Sequence, residues 1–223
     1  MKIINLMETN TNLSSDFLYD PKKHEANRIK ILGVGSSMRE KSYSTQALKI
    51  LLNAAKKYET ETLLLDLNKT KLPMYNPDET ESNDGNAKKI KDIVNWADAF
   101  VLGSPDYHGS ISGAMKNFLD HYFEEFAGKT FGYICASHEK GLTVMDQMRT
   151  AVRQCYGWSM PYGVSVNGEQ DFDAKGQIRN SRLAQRLEML ARDLVIYGRL
   201  IRAQFNRDLI STESKTFAAH YRE

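Results

Sequence analysis

The 223-residue sequence predicts an α/β protein, with a doubly wound parallel sheet of five strands and helices on both faces. Strand-like runs alternate with amphipathic helix patterns in the order β-α-β-α-β-α-β-α-β-α, which is typical of parallel sheets. The run at residues 62–65 is continuous rather than alternating, as expected for a strand that is covered on both faces. Two of the strands also end in glycine-containing loops.

Five short segments have the composition of strands. Residues 28–35 are rich in β-branched side chains and end in glycines, and residues 61–67 contain the continuous apolar run. The predicted strands are residues 28–35, 61–67, 99–103, 130–136 and 161–166.

Five segments have the periodicity of helices packed on a sheet. In the first of them Leu48, Leu51 and Ala55 lie on one face, and in the last Leu187 and Leu194 share a stripe. The predicted helices are residues 44–58, 87–97, 112–123, 144–156 and 182–202.

The remaining segments set the domain limits. Residues 1–27 are polar and weakly periodic, and they predict an N-terminal arm that could also embrace a second subunit. Residues 71–85, with several proline, asparagine and aspartate residues, predict a long loop. We therefore expect one domain at residues 28–204 and a mobile, polar C-terminal tail at residues 205–223.

Composition excludes several classes of protein. The net charge of +2 and the pI of about 8.4 are too mild to indicate nucleic-acid binding. No apolar run reaches the ~18 residues that a membrane-spanning helix needs, and residues 1–30 lack the features of a signal peptide. The sequence thus predicts a cytoplasmic protein that binds neither nucleic acid nor membrane.

The two cysteines, Cys135 and Cys155, match neither a CxxC redox motif nor a zinc site. We expect a buried strand thiol and a helix-packed residue, with a disulfide left open, and we assign no metal ligands.

The first loop, residues 33–44, joins the first strand to the first helix. Ser37, Ser42, Ser44 and Thr45 bring hydroxyls to a helix N-terminus, where free peptide N–H groups favour anions. Arg39 adds a fork of donors suited to a phosphate. The alternative is structural, with Ser44 only an N-cap and Arg39 only solvated. The loop is neither a P-loop nor a GxGxxG turn.

The second loop, residues 103–113, follows the third strand. Pro105 restricts the turn, Gly109 allows close backbone approach, and Tyr107 and His108 can line a flat aromatic ligand. Alternatively, Tyr107 packs on the following helix and His108 lies on the surface. In the strand order 2-1-3-4-5 both loops lie at the switch point, where such sheets bind ligands.

Two stretches carry a family resemblance. The octapeptide Ser-Met-Arg-Glu-Lys-Ser-Tyr-Ser at residues 37–44 resembles the S-x-R-x-x-S-[FY]-[NS] phosphate loop of NAD(P)H-dependent FMN reductases. Residues 105–117 resemble their ring loop, P-x-Y-x-x-S-x-x-G-x-[LM]-K-N. The resemblance covers residues 28–204, and the long last helix is similar to that of organoarsenical-oxidising flavoproteins of arsenic-resistance operons. It implies a flavodoxin-like fold with order 2-1-3-4-5.

The resemblance also implies a set of FMN-binding residues. Ser36 stands where the family's first loop usually has glycine, and residues 138–140 interrupt a third loop, residues 137–141, that is often glycine-rich. The residues implied to hold the phosphate are Ser37, Arg39, Ser42, Tyr43 and Ser44. Those implied to border the isoalloxazine ring are Pro105, Asp106, Tyr107, His108, Gly109 and Ser110, completed by Ser137 and Gly141 of the third loop.

The function implied is transfer of hydride from NAD(P)H through FMN to an acceptor such as a flavin, quinone, azo compound, metalloid or oxygen. Such proteins are typically homodimers or homotetramers. Because the cofactor carries the chemistry, we assign no catalytic side chain. Arg39 or Arg149 is a candidate reader of the NADPH 2′-phosphate. A flavodoxin-type electron carrier and a flavin-free binding protein remain alternatives.

Overall fold

The computed structural model describes residues 28–78 and 85–222. The predicted N-terminal arm, residues 1–27, lies outside the described residues, as does part of the predicted loop at residues 71–85.

The described residues form a parallel sheet in the order β2-β1-β3-β4-β5, which confirms the predicted order 2-1-3-4-5. A short sixth strand, β6, also pairs with β4 in parallel. The strands are β1 Lys30–Gly35, β2 Glu61–Asp66, β3 Ala99–Pro105, β4 Thr130–Ala136, β5 Trp158–Ser159 and β6 Val164–Val166.

The predicted fifth strand, residues 161–166, is wrong in its extent. The edge of the sheet is divided: β5 pairs with the start of β4 and β6 pairs with its end. Pro161 has no N–H to donate to a ladder. A Cβ at Gly163 would lie 2.5 Å from the Met145 sulfur, so the backbone passes very close to the helix that carries Met145 at this break.

Helices cover both faces, as predicted. Leu48 of α1 and Leu187 of α6 pack on one face. Ile90 of α2, Phe118 of α3 and Met148 of α4 pack on the other. The helices are α1 Tyr43–Ala55, α2 Gly85–Trp96, α3 Gly113–Asp120, α4 Leu142–Gln154, α5 Gly168–Asp171 and α6 Ser181–Ile210. The five predicted helices are confirmed with ends within three residues, except for the end of α6.

The C-terminal segment differs from the predicted mobile tail. The helix α6 continues to Ile210, and a 3₁₀ turn at Phe217–Tyr221 packs back on it. The Phe205 ring lies 6.2 Å from the Phe217 ring and 6.0 Å from the Tyr221 ring. These aromatic contacts, embedded in polar sequence, explain why the segment folds back on the domain.

The two cysteines are free thiols, so no disulfide joins them. Cys135 is fully buried in β4, as predicted, and burial together with the Asp106 carboxylate raises the pKa of its thiol to about 12. Cys155 is partly buried at the C-terminal end of α4. In the part of the chain that the structure describes, no helix has the length and hydropathy needed to cross a bilayer.

Candidate active site

A cleft of about 1200 Å³ lies at the carboxyl ends of β1, β3, β4 and β6. It exceeds the usual size of a single-ligand pocket, roughly 300–1,000 Å³. Four loops border it: the three that the sequence singled out and residues 167–170 after β6. Of the predicted site residues, those that line it are Ser37, Arg39, Ser42, Tyr43, Ser44, Pro105, Asp106, Tyr107, His108, Gly109, Ser137 and Gly141.

Two candidate residues lie elsewhere. Ser110 does not line the cleft, and its hydroxyl donates to Gln147 Oε1 at 2.9 Å. Arg149 borders a separate cavity of about 390 Å³ beside Trp158, and its guanidinium is paired with Asp146 at 2.8 Å. The structure therefore does not place Arg149 in position to read a ligand in the main cleft.

The first loop is organised around the N-terminus of α1. Ser42 is the N-cap, with its hydroxyl accepting from the Thr45 N–H at 3.2 Å, so the alternative that made Ser44 the N-cap is wrong. Ser44 is fully buried, with its hydroxyl 3.0 Å from that of Ser42. The Ser37 hydroxyl accepts from the Arg39 N–H at 3.3 Å. These contacts gather the hydroxyls of the loop in one place.

Several polar groups of this loop are unsatisfied. The peptide N–H groups of Ser37, Tyr43 and Ser44 have no acceptor among the residues that the structure describes. The buried Thr45 hydroxyl has no partner there either. Because unpaired buried donors are costly and the first N–H groups of a helix attract anions, the loop is suited to bind an anionic ligand.

A seam of three buried serines, Ser36, Ser104 and Ser112, joins the first and second loops. The Ser36 hydroxyl donates to the Gly103 carbonyl at 3.1 Å, and the Ser112 hydroxyl lies 2.8 Å from that of Ser36. The Ser112 N–H in turn donates to the Ser104 hydroxyl at 3.0 Å. Thus Ser36, which the sequence marked only as a departure from the family pattern, holds two walls of the cleft together.

The second loop is a tight turn. The peptide groups of Tyr107 and Ser110 exchange two hydrogen bonds, of 3.0 and 3.1 Å. His108 and Gly109 both have positive φ, 58° and 76°, as in a type I′ turn. Tyr107 lines the cleft and is 40% exposed.

Asp106 fixes this turn from inside the loop. One carboxylate oxygen accepts from the Gly109 N–H at 2.8 Å, and the other accepts from the Ser137 hydroxyl at 2.8 Å. Within residues 106–112, all described, the His108 N–H is the one peptide donor without an acceptor. The loop therefore offers a single free N–H to the cleft.

The third loop depends on Gly141, which precedes α4 with φ of 58°. A Cβ at this position would lie 2.4 Å from the Cys135 sulfur. Glycine is therefore required both for the positive φ and for the lack of room for a side chain. His138, Glu139 and Lys140 also border the cleft.

The fourth wall, residues 167–170, was missed from the sequence. The Asn167 side-chain amide donates to the His138 carbonyl at 3.1 Å, which joins the third and fourth walls. A Cβ at Gly168 would lie 3.1 Å from the Tyr43 ring, and that ring stacks on Phe172 at 5.5 Å. The available signal was positional, since this segment follows the last strand of the predicted sheet.

Structural comparison gives the class of the protein. FerB, a flavoenzyme NAD(P)H:(acceptor) oxidoreductase from Paracoccus denitrificans, is 19% identical with a TM-score of 0.66, covering 76% of this chain and 97% of FerB. A flavodoxin from the domain Archaea, 12% identical, gives a TM-score of 0.55 over 76% of this chain and 99% of the other. The fold and cleft thus define a flavodoxin-like α/β protein.

Sequence comparison gives the family. The family model for NADPH-dependent FMN reductase matches residues 29–171, and the chain belongs to this family of oxidoreductases. This confirms the resemblance found in the two loops, and it favours a reductase over a flavodoxin-type carrier.

Two relatives illustrate the membership. The NADPH azoreductase of Bacillus sp. (strain OY1-2) is 32% identical over 108 residues, which are 47% of this chain and 61% of the azoreductase. The NADPH-dependent FMN reductase ArsH of Shigella flexneri is 27% identical over 187 residues, 80% of this chain and 72% of ArsH. The chain thus spans about three fifths of the first relative and nearly three quarters of the second.

Proposed function

We propose that this chain binds FMN in the cleft and passes reducing equivalents from NADPH to a small-molecule acceptor. The observation that carries the proposal is the set of unsatisfied donors in the first loop, on the stretch that matches the family's phosphate motif. Bound FMN supplies hydride acceptance and onward electron transfer. The names of the relatives support an azo compound or a flavin as the acceptor. A quinone, a metalloid and oxygen stay predictions from the family resemblance.

The phosphate end of the proposed site is the first loop. The N–H groups of Ser37, Tyr43 and Ser44 would donate to phosphate oxygens, and the Ser42 hydroxyl lies at the same helix N-terminus. The Arg39 guanidinium borders the cleft and would add charge-assisted hydrogen bonds. Ser44 is fully buried, so its hydroxyl would orient that of Ser42 rather than meet the ligand.

The ring end of the proposed site is the second loop with part of the third. The free His108 N–H would donate to a polar atom of the ring edge. Tyr107 and Pro105 would contact the ring, while Asp106 holds the turn and Ser137. Gly109 and Gly141 let the backbone approach, and Ser110 would support the turn from outside the cleft.

In the proposed site these residues bind and orient FMN, and none of them is needed as a nucleophile. The cleft volume supports a second planar molecule beside the cofactor, so donor and acceptor would use the same place in turn. We therefore propose ping-pong kinetics.

We also propose a cytoplasmic homodimer or homotetramer. The two free thiols suit a reducing compartment. Met74, Leu200 and Ile210 are 81%, 62% and 88% exposed, so these apolar side chains are available for contacts between copies. The predicted arm at residues 1–27 stays a candidate part of that interface.

Anaerobic reduction tests the proposed activity. We expect the FMN-loaded protein to lose its visible flavin absorption within seconds of NADPH addition under argon, and to recover it when a quinone is added. Dithionite serves as the control, since it reduces the bound flavin without an enzyme-catalysed step. A flavin that dithionite bleaches and NADPH leaves oxidised would refute the reductase and restore the electron-carrier alternative.

A further inference from the structure

We propose that Gln147, on α4 and outside the cleft, is a positioning residue that holds the turn of the second loop and so aims the His108 N–H. The inference rests on the proposed function, in which that N–H meets the FMN ring.

The side-chain amide of Gln147 contacts three consecutive residues of the loop. Its Oε1 accepts from the Ser110 hydroxyl at 2.9 Å and from the Ile111 N–H at 3.1 Å. Its Nε2 donates to the Gly109 carbonyl at 3.3 Å. Both ends of the amide are engaged, and exchanging its oxygen and nitrogen would set an NH₂ group against a peptide N–H. The orientation of Gln147 is therefore specified by the loop.

The hydrogen bonds from Gln147 matter because the conformation of the turn is unfavourable by itself. His108 has φ of 58°, a left-handed conformation that residues with a Cβ adopt at a cost in free energy. Asp106 restrains the turn at Gly109 from the N-terminal side. Gln147 restrains it from a separate helix and from the C-terminal side, at Gly109, Ser110 and Ile111.

The hydrogen bonds from Gln147 also determine which peptide N–H the second loop presents to the cleft. Without Gln147 the Ile111 N–H loses its acceptor, and the Ser110 hydroxyl is released. The loop would then have two free N–H groups and a looser turn, instead of one fixed donor at His108. Preorganised donors stabilise developing charge better than mobile ones, so the effect should be larger on reduced than on oxidised FMN.

The test compares Gln147→Ala with wild type and with Gln154→Ala. Gln154 is on the same helix, is exposed and makes no side-chain hydrogen bond with the residues that the structure describes, so it is a matched control. In FMN-free protein we expect hydrogen exchange at the Ile111 amide to accelerate about tenfold in Gln147→Ala only. In FMN-loaded Gln147→Ala we expect the affinity for reduced FMN to fall about tenfold more than the affinity for oxidised FMN. This difference lowers the two-electron midpoint potential of the bound flavin by about 30 mV.

A conservative variant distinguishes the positioning role of Gln147 from a nonspecific structural effect of the substitution. Gln147→Glu keeps an acceptor for Ser110 and Ile111, but it loses the donor to the Gly109 carbonyl and adds a negative charge. Its exchange rate at Ile111 should therefore lie nearer wild type than that of Gln147→Ala. Unchanged exchange at Ile111 in Gln147→Ala, or a potential equal to that of Gln154→Ala, would overturn the inference and leave the proposed function intact. A wild-type protein that binds no FMN would overturn both.

Discussion

Replacing Arg39 and Ser42 together by alanine is expected to weaken FMN binding by roughly 100-fold or more. Each hydrogen bond to a charged group contributes about 1.5–3 kcal/mol, and the variant removes the only guanidinium of the first loop and the N-cap hydroxyl of α1. Quenching of FMN fluorescence on titration with protein measures the affinity. The same titration with riboflavin, which lacks the phosphate, should show little change between variant and wild type.

Two controls keep this result specific. Ser181→Ala with Arg182→Ala makes the same pair of changes at the exposed N-terminus of α6, outside the cleft, and should bind FMN like wild type. Arg39→Ala alone keeps the N-cap of α1, whose loss would cost about 1 kcal/mol of stability. This single variant should account for much of the loss of FMN affinity. Equal losses of FMN and riboflavin affinity would show that the first loop does not bind the phosphate.

Replacing Gly141 by alanine is expected to lower the free energy of unfolding by about 3 kcal/mol, combining left-handed strain with overpacking. The added Cβ would lie 2.4 Å from the buried Cys135 sulfur, at a φ of 58°. Gly109→Ala is the matched comparison, since φ there is 76° and its Cβ would meet nothing within 4 Å. Urea denaturation should show a loss of only about 1 kcal/mol for Gly109→Ala.

The Cys135 contact can be tested separately. In a Cys135→Ala background the sulfur is absent, so the Gly141→Ala change should cost less than it does in wild type. Equal losses for the two glycine variants, with no relief from Cys135→Ala, would contradict the close packing described for the third loop.

Local patterns made most of the fold predictable. The first four strands, the five predicted helices and the two cleft loops depend on composition and periodicity within a few residues, so the sequence predicts them. The division of the last strand depends instead on Pro161 and on the close approach of Gly163 to Met145, a contact with α4. The return of Phe217 onto α6 depends likewise on a tertiary aromatic contact.

The predicted site was incomplete for the same physical reason. Ser36 gains its role from Gly103 and Ser112, which are 67 and 76 residues away in the chain. Gln147 contacts Ser110 across 37 residues and carries no recognisable motif. Long-range partners such as these leave no local signal. The sequence therefore predicts most of the residues that face the cleft, but not residues 167–170 or the roles of Ser36 and Gln147.

The most direct test of phosphate binding at the first loop is a crystal structure of the protein with FMN. We predict that the phosphate oxygens lie within about 2.7–3.2 Å of the Ser37 and Tyr43 N–H groups and of the Arg39 guanidinium. A cleft that stays empty at saturating FMN, or a phosphate bound away from these groups, would contradict the proposed site and the activity assigned to it.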